Sequence, residues 1–398
     1  MRFVITGIGI HDSLGSDPSE CFNNIITNNQ NLTSTSNIDS LKNKNIKTKF
    51  CFLEKQIVPD LTKYGYTEKE LRRLTNNSKI ALGVVEHAIK DANINIHGKE
   101  VPVVFSSSTR NIALDYLDYI NNTFGRLNPF IALNYSSDFI SNCIQTRYNL
   151  TGQSLTLSAA CSTGFYSIDY ALKIMSENNL QCTIVGTSSN GCNYLDITWF
   201  ENLGALSKKE ISRPFDKNRD GFMIANGHAC LIIETLEHAE KRNAKIYAEI
   251  IGLGFQNDGN NLTAPDKEMK SSRIALERCL KNFNGQIDYI NAHATSTPVG
   301  DDIEASLMEK YFPGVSISSN KGHIGHCIHS SNIVELIYTI MAMKHSLIPH
   351  TMNLNDPLDA NLDFVMHKPK EKQIRYALKN SFGFGGRNGF ILLKNCML

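Results

Sequence analysis

One pattern occurs twice in this chain, and any fold has to accommodate both copies. From Leu155 to Met175 (LTLSAACSTGFYSIDYALKIM) a short apolar run of β type reaches Cys161, turns through Ser162, Thr163 and Gly164, and continues as a helix. The helix is read from Phe165, Ile168, Ala171, Leu172 and Met175, which recur at three- and four-residue spacing. From Val315 to Lys344 (VSISSNKGHIGHCIHSSNIVELIYTIMAMK) the chain again writes a short strand, a polar turn and a long amphipathic helix. The segments that open each copy repeat as well. RFVITGIGIHDS at the N-terminus and KIYAEIIGLGFQND from Lys245 each give an apolar strand, Gly-x-Gly, an apolar residue and a polar turn. Such self-similarity predicts an internal duplication with halves 1–250 and 251–398, whose site-bearing turns face each other across a pseudo-twofold axis.

Between these landmarks, strands and helices alternate. Short apolar runs at Val101–Ser108, Gln181–Asn190 and Ala229–Glu234 are separated by helical patterns, one of them spanning Glu68 to Ala92. The alternation predicts an α/β class with a largely parallel sheet covered by helices. The opening MRFVITGIGI reads as a first strand rather than an export signal. Its Gly7-Ile8-Gly9 is no dinucleotide fingerprint, because Asp12 stands where the third glycine is needed.

The totals exclude several classes. Among 398 residues, 40 basic side chains face 39 acidic ones, so no global charge favours nucleic acid or an anionic membrane. No run approaches eighteen apolar residues, and the longest, around Ile333 to Met343, carries Glu335. Ten cysteines without regular spacing or a CxxC pair predict reduced thiols, a cytoplasmic location and no structural zinc.

Cys161 stands at a predicted helix start, where unpaired amide N–H groups and the helix dipole favour a thiolate. Taken alone, such a cysteine is more often a small buried structural thiol. Two further stretches carry chemistry. IDYINAHATSTPVGDDIEA (287–305) leads a strand into His293, and SSNKGHIGHCIH (318–329) holds Lys321, His323, His326 and His329. The three-residue spacing of those histidines, with Cys327 beside them, leaves a metal site as a rival reading. NSFGFGGRNGFILLK (380–394) sets a glycine-rich turn before a closing strand.

Taken together, AACSTG, SRPFDKNRDGF, NAHATSTPVGD with Glu304, NKGHIGH and NSFGFGGRN resemble the elongating β-ketoacyl-acyl-carrier-protein synthases of the thiolase superfamily, in that family's order and from end to end of the chain. The resemblance implies a thiolase-like, five-layered αβαβα fold of two duplicated halves with mixed sheets. It implies decarboxylative condensation of an acyl chain with malonyl-acyl-carrier protein, in fatty acid or type II polyketide or polyene synthesis. By that resemblance Cys161 is the acyl acceptor, His293 and His326 act on the extender unit, and Lys321 supports them. Asp301 and Glu304 form an acidic pair behind the site, Glu304 pairing with Lys321, and Phe384 contributes a backbone N–H to an oxyanion hole. Thr295, Thr297 and Thr263 contact the phosphopantetheine arm, Ser108 and Thr109 line the acyl pocket, and Lys69, Arg72, Arg73 and Lys208 dock the acidic carrier protein.

No cofactor of the enzyme's own is implied, the substrates arriving on the carrier's arm. The partners implied are acyl carrier protein and a second subunit, a like copy or a chain-length-factor-like paralogue. A non-catalytic chain-length-determining subunit is the alternative. Departures from the family pattern at Ser106–Asn111, at 225–229 (ANGHA), at Arg387 and at His329, Ser330, Ser331 and Asn332 suggest a more polar acyl pocket and a specialised substrate.

Overall fold

The computed structural model describes residues 1–42, 44–53, 58–107, 131–134 and 136–398. The expected acyl-pocket residues Ser108 and Thr109 lie outside them. The main sheet has eleven strands: β1 (Phe3–His11), β2 (Val103–Ser107), β3 (Ser154–Leu155), β4 (Cys182–Asn190), β5 (Asn226–Thr235), β6 (Ala248–Asn257), β7 (Tyr289–Asn291), β8 (Ser316–Ser318), β9 (Asp363–Phe364), β10 (Tyr376–Gly383) and β11 (Arg387–Asn395). Their order is β9-β8-β7-β10-β11-β6-β1-β5-β4-β2-β3. Numbered within their own halves, β1 to β5 lie in the order third, second, fourth, fifth, first. The strands β6, β7, β8, β10 and β11 lie in that same order, with β9 added at the edge.

The sheet is mixed, not largely parallel. The fifth strand of each set runs antiparallel to both neighbours, β5 to β1 and β4, and β11 to β10 and β6. Hydrophobic alternation marks a strand but carries no sign of its direction, which is why the sequence pattern missed this. For β11 the cause is local: β10 and β11 form a hairpin whose turn needs left-handed backbone at Gly385 (φ 80°) and Gly386 (φ 70°). The two strand sets join through the antiparallel pair β1–β6, with Phe3 opposite Ile250 and Ile5 opposite Ala248.

Among the helices of the described residues, those that build the layers and position the site include α1 (Asn76–Ala92), α2 (Thr163–Glu177), α3 (Lys270–Leu280), α4 (Pro298–Tyr311) and α5 (Ser331–His345). The central layer is α2 and α5, packed on each other between the strand sets, while α1 covers β1 and β5 and α3 covers β6 and β11 on the outside. Every residue of α5 from Ser331 to Met343 is buried, as expected for a helix covered on all sides. Burying each of Ile333, Val334, Leu336, Ile337 and Ile340 stabilises the fold by about 1.5–3 kcal/mol.

The repeated Gly-x-Gly has a steric role. A Cβ on Gly7 or Gly9 would overlap the carbonyl oxygens of Ala88 or Val84 in α1; one on Gly252 or Gly254 would overlap those of Cys279 or Ala275 in α3. Each glycine pair lets an outer helix lie directly on its strand.

The expected single helix from Glu68 to Ala92 is two: Glu68–Leu71, opened by a capping box at Thr67 and Glu70, and α1, whose N-cap Thr75 accepts from Ser78 N. The run Thr75-Asn76-Asn77-Ser78 competes for backbone hydrogen bonds and restarts the helix.

Candidate active site

Cys161 sits at a sharp bend between β3 and α2. Ala160 holds left-handed backbone (φ 48°), a strained choice for a residue with a Cβ, and Thr163 braces it. The Thr163 hydroxyl donates to Ala160 O (2.6 Å) and accepts from Ala159 N (2.9 Å). The bend presents the buried Cys161 thiol just before the first turn of α2. Its carbonyl is held from behind by Asn332 Nδ2 (2.7 Å) and by the Ser381 hydroxyl (3.3 Å).

Both candidate imidazoles come from the second strand set. His293 follows β7, and its backbone N–H donates to Glu304 Oε1 (2.8 Å), while Ala294 N donates to Glu304 Oε2 (2.6 Å). Glu304 lies on α4 and also accepts from Asn380 Nδ2 (2.8 Å). His326 follows the short helix Lys321–Ile324 and a left-handed Gly325 (φ 69°). It is tied into the first half of the chain: its N–H donates to Met223 O (2.8 Å) and its carbonyl accepts from Ala225 N (3.0 Å). Across this junction His326 Nε2 lies 3.1 Å from Cys161 Sγ, and the His293 and His326 rings meet edge to face at 5.7 Å. Burial, above all, pushes both imidazoles well below their ordinary pKa, with the positive charge of Lys321 second, so both are neutral at pH 7.

Lys321 is fully buried but does not pair with Glu304. Its ammonium donates to His293 O (2.6 Å) and forms an ion pair with Glu335 (2.5 Å), a carboxylate of α5 that in the sequence marks only an interruption of an apolar run. Glu304 is unavailable because its two oxygens already serve three N–H donors at the His293 turn. Glu335 also pairs with Lys379 of β10 (2.8 Å), which donates further to Ala292 O and Asn380 O. Burial lowers Lys379 to about 8 against the pull of Glu335. The missed signals were a glutamate inside a buried helix and a lysine alternating inward in YALKNSFG; a charge in such a position requires a partner.

Asp301 does lie behind the site as a structural acceptor. Its Oδ2 receives Phe215 N (2.9 Å) and Ser296 N (3.1 Å), and burial pushes its carboxyl up to about 7.

A cleft of about 290 Å³ is lined by Cys161, His293 and His326 together with Thr263, Thr295, Thr297 and Phe384, so these seven expected residues converge on one space. Thr295 and Thr297 hydroxyls touch at 3.0 Å. Phe384 packs against Phe200 and Trp199, and the turn that carries it is pinned by Gly385 N to Leu262 O (2.7 Å). Phe222, edge-on to His326 at 4.9 Å, adds an apolar wall. The expected docking residues are elsewhere: exposed Lys69 lies in the helix Glu68–Leu71 and exposed Arg72 caps its C-terminus and pairs with Glu68 (3.1 Å), Arg73 is half-buried, and exposed Lys208 follows the lining residues Leu203 and Ala205.

Ser331 and Asn332 are placed differently from expectation. They touch two of the candidate residues themselves, Ser331 Oγ lying 2.7 Å from His326 Nδ1 and Asn332 holding the Cys161 carbonyl. A helix start packed against a strand-turn cannot be located by spacing alone. His323 turns away from this cluster and meets His350 O (2.9 Å). Among the described residues no three metal-binding side chains converge, and no helix is long and apolar enough to cross a membrane.

Comparison with known proteins agrees with this geometry. Residues 1–239 match the family model "Beta-ketoacyl synthase, N-terminal domain" and residues 247–355 match "Beta-ketoacyl synthase, C-terminal domain". The chain is 30% identical to a 3-oxoacyl-acyl-carrier-protein synthase 2 of Coxiella burnetii, over 98% of each chain. A crystal structure of a beta-ketoacyl synthase from Burkholderia phymatum superposes with a TM-score of 0.88 at 25% identity, over 99% of each chain. A type II PKS acyl-carrier protein in complex with its ketosynthase bound to the hexaketide gives a TM-score of 0.84 at 24% identity, again over 99% of each chain, which establishes the shared fold. A thiol and two imidazoles brought into one cleft by a duplicated, mixed-sheet fold thus accompany full-length similarity, and the chain belongs to the beta-ketoacyl synthase family.

Proposed function

We propose that the chain joins an acyl group carried on Cys161 to a malonyl unit carried on acyl carrier protein, releasing carbon dioxide and giving a 3-oxoacyl-carrier protein. The observation that carries the assignment of roles is the 3.1 Å approach of His326 Nε2 to Cys161 Sγ, with His293 beside it in the same cleft. In the first half-reaction the Cys161 thiolate attacks an acyl thioester, expels the pantetheine thiolate, which takes its proton from solvent, and keeps the acyl chain as a new thioester. In the second, malonyl loses carbon dioxide, and the electron pair it leaves places negative charge on the thioester oxygen. Two neutral imidazoles are suited to this step, since each can present an N–H to that oxygen in a water-poor cleft. The carbanion then attacks the acyl-Cys161 carbonyl, and collapse of the tetrahedral intermediate returns the thiolate.

Lys321 acts one step removed, donating to the backbone of His293 and adding positive charge that keeps the imidazoles neutral. Asp301 and Glu304 brace the His293 turn through backbone N–H groups. Phe384, beside Cys161 in the cleft lining, suits a second oxyanion donor through its N–H, and Thr263, Thr295 and Thr297 suit the amide-rich pantetheine arm. The duplicated strand order supports the division into halves near residue 250. Lys69, Arg72, Arg73 and Lys208 are the docking candidates for an acidic carrier. The assembly is read as a homodimer, with a chain-length-factor-like partner as the alternative that native mass measurement distinguishes. A polyene, aryl or polyketide chain is the substrate class that the polar substitutions favour.

Intact-mass analysis after incubation with a panel of acyl-carrier proteins tests these roles. An acyl adduct present in the native protein and lost in Cys161→Ala is expected, with adduct yield ranking the substrates. An adduct that survives the substitution rejects Cys161 as the acceptor.

A further inference from the structure

We infer that Ser331 is a positioning residue for His326: its hydroxyl donates to Nδ1 and holds the ring as the Nε2–H tautomer, so that the proton faces Cys161 and the cleft. The inference rests on the reading of His326 as an N–H donor in the proposed reaction, and it adds how this chain secures that donor.

The argument is one of hydrogen-bond accounting. Neutral imidazole carries one N–H and one bare nitrogen, and the tautomer is set by whatever the second nitrogen meets. Here Nδ1 meets Ser331 Oγ at 2.7 Å, while Nε2 faces Cys161 Sγ at 3.1 Å. Ser331 is fully buried, and among the described residues its hydroxyl makes no other hydrogen bond. Suppose Nδ1 held the proton. The hydroxyl would then accept from it, and its own hydrogen would be left buried without an acceptor, a costly arrangement. With Nδ1 bare, the hydroxyl hydrogen and the nitrogen lone pair satisfy each other and nothing polar is orphaned.

The surroundings hold this pair in register. The main chain of His326 is fixed on both sides by backbone hydrogen bonds to Met223 and Ala225, which set where its ring starts from. Ser331 opens α5, and the next residue, Asn332, grips the Cys161 carbonyl at 2.7 Å. One helix start therefore locates both the nucleophile and the imidazole opposite it. The other groups acting on His326 are the edge of Phe222, the His293 ring, the positive charges of Lys321 and Lys379, and His329 three residues on; among the described residues the hydrogen bond recorded at Nδ1 is the one to Ser331.

The test combines the full-length protein, its Ser331→Ala and Ser331→Thr variants, and NMR of ring-15N-labelled histidine, with His326 assigned by comparison with His326→Asn. Native protein and Ser331→Thr are expected to show His326 as the Nε2–H tautomer. Ser331→Ala is expected to show a mixture, with kcat for malonyl-carrier decarboxylation down about tenfold, KM within twofold, and acyl loading of Cys161 retained. An unchanged tautomer in Ser331→Ala, whatever the rate does, overturns the inference. A changed tautomer with an unchanged rate leaves the Ser331 assignment standing and removes His326 from the decarboxylation step instead, so the two readings fail separately.

Discussion

Replacing Glu335 by Gln removes the one carboxylate that two buried ammonium groups share, and the structure sets the size of the effect. Lys321 and Lys379 lie 2.5 and 2.8 Å from Glu335, and all three side chains are fully buried. Breaking a buried pair by removing one partner costs about 3–5 kcal/mol, because the remaining charge is left uncompensated. The chain has one way to limit that cost, which is to release the Lys379 proton. Burial already holds Lys379 at about 8, so releasing that proton at pH 7 costs about 1.4 kcal/mol in the native protein.

The sign of the pH dependence follows. Without Glu335 the folded variant has lost the Lys379 proton by pH 7, whereas the unfolded chain keeps it up to the ordinary lysine range. The variant's stability therefore climbs with pH from 7 upward. The native protein begins the same climb only as pH passes about 8. The gap between them is thus expected to be about 3–5 kcal/mol at pH 7 and to narrow by about 1.4 kcal/mol by pH 9. Equilibrium urea unfolding at both pH values, followed by circular dichroism, measures it. A gap below about 1 kcal/mol at pH 7, or one that widens with pH, refutes the shared-carboxylate account.

Because burial keeps His293 and His326 well below their ordinary pKa, both stay neutral as pH falls through 6.5; kcat for decarboxylation is expected to show no acid-limb inflection there, and one at 6.5 in a steady-state pH profile counts against the buried-imidazole account. Charge reversal at Arg72 and Arg73, both outside the cleft, is expected to raise KM for the carrier-bound substrate while sparing a small thioester; equal losses on the two remove the docking role. Gly9→Ala and Gly254→Ala each push a methyl group into a helix carbonyl and are expected to cost about 1–3 kcal/mol in unfolding measurements, the two values agreeing within a factor of two if the seats are equivalent.

The sequence was most informative where a residue type is forced by backbone geometry or chemistry. Cys161 at a helix start, His293 after a strand and the Gly-x-Gly pairs each leave a local signature, and the structure brings the first two into one cleft. What it hid were relations across the fold. The family resemblance pairs Lys321 with Glu304, whereas its carboxylate comes from α5, because Glu304 is consumed at the His293 turn. Ser331 and Asn332 looked like pocket substitutions until the packing of α5 against α2 set them at His326 and Cys161. Strand direction was equally invisible, since an inward-outward alternation reads the same from either end.

The hydrogen bonding between β1 and β6 bears on how substrates reach Cys161. Because Phe3 to Ile5 pair directly with Ala248 to Ile250, a single uninterrupted sheet links the strand set that leads to the thiol with the one that leads to the imidazoles. A hinge between them would have to tear that ladder, so this molecule cannot breathe like a clamshell around its substrate. Traffic must instead pass through local rearrangement at the rim. There the short Phe384–Gly386 turn holds left-handed backbone at Gly385 and Gly386 and is tied down by Gly385 N donating to Leu262 O (2.7 Å), so moving it breaks that bond while the sheet ladder stays intact.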